Sequence, residues 1–241
     1  MEIEIAVLKT NKFDSLESGD TLEVIERPGG GVSVVLCDGR SSGRKAKAIS
    51  SMVVHRVIDL LADGVRDGAA ARAASDHLYT EKDGTASAFL SILSVDLQTG
   101  TIVITRNNPT PLYIVQREKT ERVESNSIPI GTSRNIRPDI LEFPLEPDTI
   151  VIMFTDGLVR AGGQYGLSFD ICTLLEAMLE EQEPSAQELA DTIMQEAIRL
   201  DQGRPNDDMS LVVLRVLAHE TGRIRRMVVK LPVILSDTSL G

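Results

Sequence analysis

Four acidic sites in this chain share one design. The apolar run 34–37 ends in Asp38-Gly39, and the apolar run 150–155 ends in Asp156-Gly157. The pair Asp207-Asp208 stands just before the run 209–217, and Asp20, after Gly19, precedes a fourth run. Acidic residues at the mouths of buried strands are held by a rigid sheet yet can face solvent, so their carboxylates can converge. Converging carboxylates repel one another unless a positive charge sits between them. A hard divalent cation answers that need, because Mg²⁺ and Mn²⁺ take oxygen ligands in octahedral geometry. Zn²⁺ would call for His or Cys. His55, His77, His219, Cys37 and Cys172 show no ligand spacing. Two hard cations ~3.5–4 Å apart activate a water and clamp a phosphoryl group. Each Asp-Gly taken singly also reads as a turn, since Asp bonds locally and Gly permits positive φ. Spacing alone does not prove convergence.

The elements that would position these residues can be read from periodicity. Strand-like runs cover 2–8, 21–26 and 32–37, the last two joined by the Gly-rich turn 28–31. Ile49, Val53, Val57 and Leu61 recur every four residues, which places them on one helix face, and Gly64 ends that helix. The Ala-rich segment 69–79 reads as a second helix. Runs at 86–95 and 102–105 flank the turn Gln98-Thr99-Gly100, a hairpin signal, and 112–115 with 121–124 reads as another. A loop carrying Pro129 and Gly131 leads to the strand 149–155. Helices follow at 169–181 and from Ser185, where Glu188 three residues on makes a capping box. The strand 209–217 comes next, and 223–231 reads as one more strand before a loose tail. Strands cluster and helices cluster, which predicts an α+β fold with antiparallel sheets and helices outside.

The bulk numbers agree with a folded enzyme-sized chain. It has 241 residues, of which 42% are hydrophobic and 25% charged, with no Trp. Without a linker-like stretch we expect one domain over 1–241, with a core at about 2–217 and a C-terminal extension at 218–241. The net charge of −11 argues against nucleic acid or an anionic membrane as partner. It would also repel a phosphorylated substrate, so phosphate chemistry here needs a local positive centre. No apolar run approaches the ~18 residues of a membrane span. The N-terminus alternates Ile3, Ile5 and Val7 with acidic residues, a strand pattern rather than a signal peptide. Two distant cysteines make no disulfide framework and read as reduced, which points to the cytoplasm.

In order along the chain, Gly19-Asp20, LCDGRSSG at 36–43, GTAS at 84–87, IPIG at 128–131, FTDGL at 154–158 and DDMSL at 207–211 resemble the type 2C protein phosphatases. The likeness is strongest to the bacterial branch typified by the sporulation stage II protein E. It runs over residues 20–217. The resemblance implies a four-layer αββα sandwich, two antiparallel sheets flanked by helices. It implies two Mg²⁺ or Mn²⁺ ions and a metal-activated water that hydrolyses phosphoserine or phosphothreonine. Residue by residue, Asp20 matches the first acidic ligand and Asp38 the aspartate shared by both metals, and these two are the expected catalytic core. Gly39 matches the glycine that ligates through its carbonyl. Asp156 matches the ligand of the later Asp-Gly, and Asp207, ranked above Asp208, matches the last ligand. The implied substrate is a phosphorylated signalling protein such as an anti-sigma-factor antagonist.

Three departures matter. Arg40 stands where many members carry a His, and is a candidate for meeting the substrate phosphate. The turn Arg106-Asn107-Asn108-Pro109 replaces a His-bearing turn. The stretch 41–47 opens the first helix, whose start acts as a switch in regulated relatives; its Lys and Arg otherwise read as solvated. Regulation is expected from a separate partner or from self-association, with a homodimer left open. A catalytically silent binding module and a hydrolase of small phosphate esters remain competing readings. Against the latter stand the lack of a Gly-rich, Lys-bearing phosphate loop and of an Asp-x-Asp pattern at Asp38.

Overall fold

A computed structural model describes residues 1–117, 119–218 and 224–232. Two five-stranded sheets, antiparallel throughout, form the centre. One sheet runs in the order β1 (Glu2–Thr10), β10 (Met209–Leu217), β9 (Ile150–Phe154), β6 (Leu112–Gln116) and β7 (Lys119–Val123). The other runs β2 (Asp20–Glu26), β3 (Gly31–Gly39), β4 (Ala88–Asp96), β5 (Thr101–Asn107) and β8 (Asp139–Pro144).

Side chains alternate across each strand, and both faces of the inner strands are covered. In β3, Val34 and Leu36 point into the space between the sheets, while Val35 and Cys37 point to the outer helices. In β9, Val151 and Met153 face the other sheet, and Ile152 and Phe154 face outward. Inner strands therefore read as unbroken apolar runs. Helices α1 (Gly43–Ala62) and α2 (Asp67–Glu81) cover the β3 side with Val53, Val57, Leu61, Ala74 and Leu78. Helices α4 (Ile171–Glu181) and α5 (Ala186–Leu200) cover the β9 side with Leu175, Leu189, Ile193 and Ala197. The result is the expected four-layer α+β sandwich. Cys37 is buried against α1, and Cys172 is half-buried on α4.

Three elements differ from the sequence reading. Strand β8 falls in a stretch the sequence leaves as loop; its Leu141 and Phe143 face the inter-sheet core while Ile140 and Glu142 alternate outward on an open edge. Asp156-Gly157 does not make a turn but opens a short helix, α3 (Asp156–Val159). The strand expected at 223–231 does not form over 224–231; residue 223 and the tail after 232 lie outside the described residues. Strand β10 is flanked on both sides by β1 and β9, so the chain leaving it meets no open edge beside it. No described helix is long and apolar enough to cross a membrane.

Candidate metal centre

Strand register builds the first half of the site. Asp20 and Asp38 are directly opposite each other across the β2–β3 ladder. Like charges in that relation repel. Asp20 is 1% exposed, and burial together with the Asp38 charge pushes its carboxyl up to about 8. Its Oδ2 accepts hydrogen bonds from Thr155 Oγ1 at 3.0 Å and Ser210 Oγ at 2.6 Å. Its backbone carbonyl accepts from Lys9 Nζ at 2.6 Å and Lys47 Nζ at 3.0 Å. Lys47, read as solvated in the sequence, is thus tied to β2 from the first turns of α1. Asp38 is raised to about 7, by burial first and then by the charges of Asp156, Asp207 and Asp208.

The second half comes from two close backbone approaches. A Cβ on Gly39 would collide with the Ala46 carbonyl of α1, and a Cβ on Gly157 would collide with the Asp208 carbonyl. Neither glycine has a positive φ. These Asp-Gly pairs are therefore packing devices, not turns: one seats α1 beside Asp38, and the other seats α3 against the loop that carries Asp207. Asp201, fully buried, fixes that loop by accepting from Gly162 N at 2.7 Å and Asn206 N at 2.9 Å.

Asp38, Gly39, Arg40, Asp156 and Asp207 line one cleft of about 280 Å³ with Ser41, Phe89 and Arg160. Asp20 lies behind Asp38 and does not line it. The Arg40 guanidinium lies 4.5 Å from the centre of the Phe89 ring, which holds it at the cleft wall. Asp208 does not line this cleft: its carboxylate accepts from Lys12 N at 2.9 Å and Gly19 N at 2.7 Å, fastening two loops. Arg106, near the end of β5, is buried and donates to the carbonyls of Thr110, Val123 and Glu124.

The carboxylates share a neighbourhood, but those of Asp20, Asp156 and Asp207 are parked on protein partners. Arg160 bonds Asp156 Oδ2 at 2.7 Å and Asp207 Oδ2 at 3.3 Å. Accordingly, among the described residues no three acidic, His or Cys side chains already stand in ligating geometry. The donor chemistry still fits a hard divalent cation. Every donor is oxygen, and Asp20, Asp38 and Asp156 are all raised by burial and by neighbouring carboxylates. The sequence reading named Asp20, Asp38, Gly39, Asp156 and Asp207 as candidates and passed over the residues that hold them, Thr155, Ser210, Lys9, Lys47, Asp201 and Arg160. Thr155 and Ser210 carried a signal, as polar breaks in apolar strands beside the acidic motifs.

Comparison with known proteins settles the lineage. Residues 28–217 match the family model described as stage II sporulation protein E. The chain belongs to that family. It is 25% identical over 219 residues to the stage II sporulation protein E of Priestia megaterium, covering 91% of this chain and 37% of that protein. This SpoIIE-family chain thus spans well under half the length of that curated relative. The PP2C phosphatase domain of SpoIIE from Bacillus subtilis, solved with a fragment of its regulatory domain, superposes with a TM-score of 0.75 at 22% identity, over 92% of this chain and 64% of that one. The catalytic domain of the serine/threonine protein phosphatase PstP, solved with two manganese ions, superposes with a TM-score of 0.68 at 15% identity, over 89% and 98%. The fold is that of the PP2C phosphatases.

Proposed function

We propose that this chain is a metal-dependent phosphatase that removes phosphate from serine or threonine of a partner protein. The observation that carries the reading is the cleft in which Asp38, Asp156 and Asp207 meet beside Arg40 and Arg160. Asp20, Asp38, Asp156, Asp207 and the Gly39 carbonyl would hold two Mg²⁺ or Mn²⁺ ions. Bound there, the ions would supply Lewis acidity and an activated water at neutral pH.

The chain's own residues do the rest. Thr155 and Ser210 aim the Asp20 carboxylate, and Lys9 and Lys47 hold its backbone. Asp38 stands where the Asp156, Asp207 and Asp208 charges overlap. Arg40, over the Phe89 ring at the cleft wall, would meet phosphate oxygens entering the cleft. The cleft walls are charged and polar and the floor is carboxylate, which suits a phosphate monoester presented on another protein. The implied substrate is a phosphorylated signalling protein of the anti-sigma-factor-antagonist kind, met in the cytoplasm; nucleic acid is disfavoured by the net charge of −11.

The test is Mn²⁺-dependent phosphate release from phosphoserine and phosphothreonine peptides against small phosphate esters. A higher kcat/KM on the peptides supports the protein-phosphatase reading. Turnover confined to small esters contradicts it. A second reading, a catalytically silent binding module, draws on one observation: the carboxylates of Asp20, Asp156 and Asp207 are engaged by protein partners. A folded chain that binds no Mn²⁺ would support it.

A further inference from the structure

Arg160 is the residue of the cleft that neither the aspartate pattern nor the family motifs single out. It caps α3 and stands four residues after Asp156. Two nitrogens of its guanidinium reach two different carboxylates. Nη2 lies 2.7 Å from Asp156 Oδ2, and Nη1 lies 3.3 Å from Asp207 Oδ2. Its backbone is fixed: its amide donates to Asp156 O at 3.0 Å, its carbonyl accepts from Gly163 N at 3.0 Å, and Gly162 N is held by Asp201. The side chain is 64% exposed, so it is anchored at its root and free to swing at its head.

We propose that Arg160 is a built-in counter-cation of the metal centre. It neutralises Asp156 and Asp207 before a divalent ion is bound and must be displaced when one loads. The proposal rests on the metal-phosphatase reading above and adds to it the residue that sets the ion concentration at which the site fills. Three features support it. Two of the carboxylates that would hold the ions, Asp156 and Asp207, are the two that face the guanidinium. The two carboxylates come from separate segments, α3 and the loop before β10, so the bridge also holds those segments together. The other cation of the cleft, Arg40, is stacked on Phe89, which leaves Arg160 as the cation parked directly on Asp156 and Asp207.

The sign follows from charge. A guanidinium remaining near the site repels an incoming dication, and its ion pairs must be broken. Both effects are modest for an exposed side chain, so their removal is worth roughly threefold to tenfold in affinity.

The test is isothermal titration of the whole chain with Mn²⁺ at one fixed salt concentration, for wild type, Arg160→Gln, Arg160→Lys and Asp38→Asn. The Arg160 side chain is largely exposed, so both of its variants should stay folded, with at most a small drop in melting midpoint. Arg160→Gln is expected to bind Mn²⁺ roughly threefold to tenfold more tightly, with Arg160→Lys staying within about twofold of wild type. Wild-type or weaker affinity in Arg160→Gln, with binding still abolished by Asp38→Asn, overturns this proposal alone. Tightening of Arg160→Lys equal to that of Arg160→Gln also overturns it, because charge is then not the cause. No Mn²⁺ binding by wild type overturns the phosphatase reading and this proposal together.

Discussion

Two carboxylates facing each other across a strand ladder are a cost that a purely structural sheet would avoid. Here Asp20 and Asp38 do so, and Asp20 is almost fully buried as well. The chain limits the cost with donors, Ser210 and Thr155 on one Asp20 oxygen and two lysines on its carbonyl. Gly157 has an equally specific job, because any side chain there would meet the backbone of Asp208 and the Cβ of Asp207 at 3.1 Å. Gly157→Ala is therefore expected to lower stability by about 1–3 kcal/mol, as overpacking does. It should also weaken Mn²⁺ binding by moving the Asp207 loop; thermal melts with and without Mn²⁺ check both effects. The identity of the acidic residues was legible in the sequence. The role of the glycines was not, because Asp-Gly reads as turn chemistry until the opposing backbone is known. Lys9, Lys47 and Asp201 were silent too, since their partners lie on other segments.

At the scale of elements, the inner strands announced themselves as apolar runs because the sandwich covers both of their faces. The edge strand β8 did not, since four of its six residues are exposed and it ends at Pro144. The long helices were legible from their four-residue spacing and caps. The capping box at Ser185 is present as read: its Oγ accepts from Glu188 N at 3.2 Å, and Glu188 Oε2 accepts from Ser185 N at 2.7 Å. Helix α5 packs on the sheet face away from the cleft residues of β2 and β3. Ser185→Ala should cost about 1 kcal/mol in a denaturation midpoint and leave kcat within about twofold, as expected for a surface change far from the chemistry. The short helix α3 escaped the sequence reading because a single turn has no period to detect.

Over the whole molecule, the charge imbalance becomes a pH effect. Asp20 and Asp38 sit at about 8 and about 7 in the folded chain, against an ordinary value of 3.8. Raised carboxyls mean that the native state holds more protons than the unfolded state between those limits. The associated stability is fully present below about 3.8 and is lost as pH rises through about 7 to 8. Urea midpoints measured in EDTA should therefore fall between pH 5.5 and pH 8.5. Added Mn²⁺ should restore more stability at the upper pH than at the lower, because metal needs the deprotonated carboxylates. A midpoint that rises with pH in EDTA would contradict this placement of the two aspartates.

The central claim, that the carboxylate cleft hydrolyses phosphate esters with divalent ions, is tested most directly by p-nitrophenyl phosphate turnover with Mn²⁺, with EDTA, and in Asp38→Asn. The account predicts turnover with Mn²⁺, none in EDTA, and at least about a hundredfold loss of kcat in Asp38→Asn. That variant should remain folded and lose none of its stability in EDTA, since it removes a buried charge from a repelling cluster. Turnover that survives EDTA or Asp38→Asn, or a folded wild-type chain that shows none with Mn²⁺, would contradict it.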